Sequence, residues 1–105
     1  MIKKSVKDIE KKYLDKNLSG MDKILVLKLE DALEFLSELF LGNHTIQGFE
    51  TWRKHENGQM SETFEGEFLE YFKGEYIDFI TKVQSRLASL PEHLYVELYI
   101  DDEYL

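Results

Sequence analysis

SETFEGEFLEYFKGEYIDFITKVQSRLASL, residues 61–90, carries the densest pattern in the chain. Phe64, Phe68, Phe72, Phe79, Val83, Leu87 and Leu90 recur at steps of three, four or seven, the spacing of one helix face. Between residues 62 and 78 stand Glu62, Glu65, Glu67, Glu70, Glu75 and Asp78, with Lys73 as the one cation among them. The pattern predicts a long helix that is both the spine of the core and the main acidic surface. Ser61 is its N-cap, and Pro91 ends it by biasing Leu90 away from helical angles. Gly66 and Gly74 fall inside it, where each either loosens the helix or admits a neighbouring backbone.

Beyond Pro91, Leu94, Val96, Leu98 and Ile100 alternate with Tyr95, Glu97 and Tyr99, the period of a strand. The alternative is a short helix opened by the proline. Upstream, Ile46, Phe49 and Trp52 lie three apart and predict a short helix capped by Thr45, weakened by Gly48. Lys54 to Met60 is a polar loop that turns at Asn57-Gly58. Over residues 22–41, Leu25, Leu29, Leu33, Leu36 and Phe40 form a helical stripe that stops at Gly42-Asn43. Within that stretch Ile24 to Leu29 is apolar nearly all round and would also serve as a buried strand, but the length and the leucine-rich composition favour a helix. Ile2, Val6, Ile9, Tyr13 and Leu14 predict a first amphipathic helix over 3–16. The expected architecture is a mostly α domain spanning 1–105, a small bundle of about four helices, with a strand over 94–100 as its variant.

A chain of 105 residues with 43% hydrophobic and 13% aromatic content can bury a core. It has no cysteine, hence no disulfide and no thiolate chemistry. The longest apolar run, Ile24 to Leu27, is far short of the roughly 20 residues of a membrane span, and the lysine-rich N-terminus lacks a signal core. Composition therefore points to the cytoplasm. The net charge of −8 is uneven. Residues 1–23 hold seven lysines against four acids, and residues 24–105 hold six cations against seventeen acids. Such a body repels nucleic acid and anionic membrane and attracts basic proteins.

Chemistry-bearing motifs are scarce. His44, His55 and His93 are isolated, without the paired spacing of a metal site. Asp101-Asp102-Glu103 lacks the spaced oxygens of a calcium loop. Ser61, Ser85 and Ser89 sit in no nucleophile motif, and there is no glycine-rich phosphate loop. No catalytic residue, metal or cofactor is expected. What remains is protein binding. Tyrosines interleave with carboxylates in GEFLEYFKGEYIDF and LYVELYIDDEYL, a surface suited to an Arg/Lys-rich cleft. The candidate binding residues are Glu67, Glu70, Tyr71, Glu75, Tyr76, Asp78, Asp101, Asp102 and Glu103.

ELFLGNHTIQGFETWRKHENG, residues 38–58, followed by the acidic segment to residue 79, resembles the immunity proteins that protect bacteria from their own toxins. The likeness is to the colicin D-like and contact-dependent inhibition group. It implies a helix, a short glycine-containing turn and a Phe-x-x-Trp helix. It also implies an inhibitor without catalysis that plugs the basic active site of a toxin, often an RNase. A nucleic-acid mimic directed against a host defence nuclease, and a structural interaction subunit, are the alternatives.

Overall fold

The computed structural model describes residues 5–21 and 23–101. Its elements, in chain order, are helix α1 (Val6–Glu10), running into a 3-10 helix (Lys11–Lys16), and helix α2 (Leu29–Leu41). Strands β1 (Thr45–Lys54), β2 (Met60–Glu62) and β3 (Glu67–Phe68) follow, then a 3-10 turn (Leu69–Tyr71), helix α3 (Tyr76–Ala88) and strand β4 (Leu94–Asp101). This is an α/β arrangement with a four-stranded antiparallel sheet, which overturns the expected helical bundle.

Strand β1 is the hub. It pairs with β4 along its length, from Thr45 opposite Asp101 to Arg53 opposite Leu94. On its other edge it pairs with β2, Trp52 opposite Glu62, and with β3, Gly48 opposite Phe68. The predicted third helix is therefore this strand. A bulge is the cause of the misreading: Ile46 faces Ile100 and Gly48 faces Tyr99, so Gln47 is an extra residue. That insertion places Ile46 and Phe49, three apart, on the same buried face, imitating a helical step. Trp52 points to the opposite face.

The predicted long helix over 61–90 is helical only from Tyr76. Its first half is β2, a turn, β3 and the 3-10 segment, and the phenylalanines spaced by four have separate surroundings. Phe64 is 78% exposed at a turn with φ of 60°, a left-handed angle unusual for a bulky residue. Phe68 meets Tyr99 edge-on at 5.2 Å, and Phe72 packs on Phe79 at 5.4 Å. Gly66 is the close approach: a Cβ there would sit 1.8 Å from the Phe49 carbonyl oxygen. Gly74, with φ of 145°, turns the chain just before α3. The helix proper buries Phe79, Ile80, Val83 and Leu87.

The helix expected over 22–41 is not formed before Leu29, and ahead of it Leu27 makes an isolated bridge to Val96. The Leu27 and Val96 N–H groups donate to each other's carbonyls at 2.8 and 2.9 Å, covering the outer edge of β4. Val26 and Leu27 are both buried, which a helix face of that length would not require. Helix α2 starts only at Leu29, with Glu30 and Asp31 in its positive first turn. It buries Ala32, Phe35, Leu36 and Leu39, while Phe40 is exposed. The main core joins these side chains to Ile46, Phe49 and Val96 of the sheet and to Val6, Ile9 and Tyr13 of the N-terminal segment.

Candidate functional site

Directly opposed residues of an antiparallel pair project to the same side of the sheet. The register of β1 with its neighbours therefore sorts the sheet into two faces. One, with Ile46, Phe49, Thr51 and Val96, meets the helices. The other carries three rows: Phe68, Gly48 and Tyr99; then Glu50 and Glu97; then Glu62, Trp52 and Tyr95. The main buried cluster contains no residue of this second face, although Trp52 on it is itself buried.

The middle row is electrostatically unusual. Glu50 and Glu97 are cross-strand neighbours of like charge, an arrangement that destabilises a sheet. Glu50 is only 5% exposed, and its Oε1 accepts from the Thr51 N–H at 3.0 Å, beside the break between β2 and β3. The Trp52 indole N–H donates to Glu97 Oε1 at 3.1 Å. Among the described residues, neither of these carboxylates nor Glu62 forms an ion pair. Burial, together with the charges of Glu62 and Glu50, lifts the Glu97 carboxyl above the usual glutamate range, against the pull of the Trp52 hydrogen bond. The Tyr99 phenol is pushed up to about 12 by burial and by the charges of Glu97, Glu62 and Glu50.

The sign of the linkage follows. A carboxyl whose pKa is higher folded than unfolded binds its proton more tightly in the folded state. Ionised Glu97 thus costs stability at neutral pH. The cost is lifted as pH falls through its raised folded value, and is gone below the ordinary glutamate value. Glu97→Gln keeps an acceptor for Trp52 and removes the charge, so it is expected to melt higher than wild type at pH 7. Thermal scans between pH 8 and 4 should show that advantage shrinking as pH falls. A variant that melts lower than wild type at pH 7 would contradict the repulsion.

The residues expected from the sequence do not form this face. Glu67 lies on the helix side of the sheet, where it bridges Lys82 and the Arg86 Nε, each at 3.2 Å, and so clamps β3 to α3. Tyr76 is half-buried, with its hydroxyl accepting from the Ile46 N–H at 2.8 Å. Glu70, Tyr71, Glu75 and Asp78 are exposed around the start of α3. Asp101 ends β4 opposite Thr45, so Tyr76 and Asp101 share one end of β1. Asp102 and Glu103 lie outside the described residues. Glu50, Trp52, Glu62 and the β4 trio were missed, although the alternation of Tyr95, Glu97 and Tyr99 already placed those three on one side of a strand.

The N-terminal lysines have a different setting. Lys12 contacts Glu34 and Glu38 at 3.4 and 3.1 Å, and Lys16 contacts Asp31 at 3.4 Å, all on α2. Among the described residues no three His, Cys, Asp or Glu side chains converge as a metal site, and no helix is long and apolar enough to cross a membrane. Comparison with protein-family models, with curated proteins and with solved structures gives no match.

Proposed function

We propose that this chain is a non-catalytic inhibitor of the immunity type, which binds a basic toxin, a nuclease, and covers its cationic active site. The observation that carries the reading is the second face of the sheet, where Glu50, Glu62 and Glu97 stand among Trp52, Tyr95 and Tyr99 without a counter-ion among the described residues. Tyr95 and Tyr99, which are not buried, supply contact area, and uncompensated acids select a cationic partner and speed its encounter. The residues of the immunity-like stretch lend no structural support, because 45–54 is a strand where that likeness implies a helix. The reading rests on surface chemistry. Engagement of Lys12 and Lys16 by α2 also weighs against a nucleic-acid role for the N-terminal segment. On this reading the protein acts in the cytoplasm of the cell it protects.

The test is co-expression with the toxin domain encoded immediately upstream. Restored growth and a complex that weakens with added salt are expected. Killing that is unchanged by the inhibitor would sink the proposal. Protection that survives a folded Glu62→Lys, Glu97→Lys double variant would show that the sheet face is the wrong surface.

A further inference from the structure

We infer that the outer edge of β4 beyond Val96 takes up one extended segment of a basic partner, added to the sheet as an antiparallel strand. The inference rests on the protein-binding reading above and adds the form in which the partner is held. Successive residues of a strand send their N–H and C=O groups to alternate sides. Val96 exchanges both of its bonds with Leu27, on the side away from β1. By that alternation Leu98 and Ile100 also point their main-chain groups away from β1, and no hydrogen bond among the described residues reaches them there. The far edge of β1 is treated differently. The Ile46 N–H donates to the Tyr76 hydroxyl, the Thr51 N–H to Glu50, and the Thr63 N–H to the Thr51 carbonyl, so the gaps beside the short strands β2 and β3 are filled. The end of β4 has no such filling. Its two donors and two acceptors form a template for a further strand.

The two sides of that edge set the chemistry of what fits. On the helix side Leu98 and Ile100 are half-buried against the main core, so an added strand extends an apolar layer already present. On the other side stand Tyr99 and Glu97, the latter without an ion pair among the described residues. Directly opposed residues of an antiparallel pair share a face. The fitting segment therefore alternates apolar residues, opposite Leu98 and Ile100, with cations on the side of Glu97 and Tyr99. A second copy of this chain is a poor occupant. Each copy carries a net charge of −8, and residues 94–101 hold Glu97 and Asp101 with no lysine or arginine.

The probe is the peptide acetyl-Lys-Val-Lys-Val-Lys-Val-amide, titrated into the intact protein at low salt by calorimetry, with amide exchange at Leu98 and Ile100 followed by NMR. Saturable binding is expected, with exchange at those two amides slowed about tenfold or more. In an antiparallel match the valine N–H groups face β4 and the lysine N–H groups face solvent. N-methylation of the valines should therefore abolish binding, whereas N-methylation of the lysines should leave it within about twofold. The matching peptide with glutamate in place of lysine should not bind. Equal binding of the two methylated peptides would overturn strand addition and leave a basic partner in place. Equal binding of the glutamate and lysine peptides would instead overturn the basic-partner reading. Binding of no peptide would overturn the inference outright. So would a dimer of the free protein in which the Leu98 and Ile100 amides are already protected, because a second copy would then hold the edge.

Discussion

Gly66→Ala is expected to destabilise the domain by about 3 kcal/mol or more. The added methyl would lie 1.8 Å from the Phe49 carbonyl oxygen and 3.0 Å from the Glu50 Cα, both backbone atoms of β1. No rotamer change can relieve a clash between main chains. The third strand would have to lift away from β1, taking with it the Thr63 N–H bond to the Thr51 carbonyl at 2.9 Å and the Glu67 clamp on Lys82 and Arg86. Against a total stability typically of about 5–15 kcal/mol, this leaves a marginal fold. Gly58→Ala is the control. Its φ of 88° carries the left-handed penalty of roughly 1–2 kcal/mol, but the space around it is open. Urea denaturation of the pair should separate the two by midpoint. Equal midpoints would mean that the β1–β3 approach is not tight.

The second large effect is expected at Tyr13→Ala, with a loss of about 3–5 kcal/mol. Tyr13 is fully buried, packs on Phe35 at 4.9 Å, and its hydroxyl donates to Glu34 at 3.0 Å and to Glu38. Burial first, then those two carboxylates, push its phenol well above the ordinary tyrosine range, which keeps it a neutral donor. The surrounding ion pairs of Lys12 and Lys16 are substantially exposed, and such pairs contribute about 0–1 kcal/mol each. The ring, not the charges, docks the N-terminal segment onto α2. Tyr13→Phe keeps the packing and loses only the hydroxyl, so its cost should be about 1–3 kcal/mol. Hydrogen exchange in Val6–Lys16 should rise sharply in the alanine variant and little in the phenylalanine one. If removing both lysines cost more than removing the ring, this order of effects would be wrong.

What the sequence made legible is uneven for physical reasons. Helix α3 was readable because Phe79, Val83 and Leu87 are a true buried stripe, and β4 because Tyr95, Glu97 and Tyr99 alternate with Val96 and Leu98. The phenylalanines at 64, 68 and 72 continued the same period by coincidence; Gly66 and Gly74 marked where it is cut, and Gly66 does so by admitting the backbone of β1. In β1 one extra residue, Gln47, put Ile46 and Phe49 three apart on one face, and Trp52, on the other face, extended that spacing by coincidence. The chemistry of the site, acids among aromatic rings, was visible in the composition. Its location was not, because Glu50 and Glu97 meet only through a pairing between distant segments. No local pattern encodes that register.

The central place of β1 also governs how the second face of the sheet comes into being. Lys54 and Met60 close a short hairpin at once, but Arg53 must wait for Leu94 and Thr45 for Asp101, pairings of long sequence separation and slow closure. Tyr95, Glu97 and Tyr99 all arrive on that last strand. A chain that has folded its helices and hairpin but not captured β4 presents Glu50 without its opposing acid and Trp52 without its acceptor. This acidic and aromatic face is therefore completed in one step, with closure of the sheet by β4.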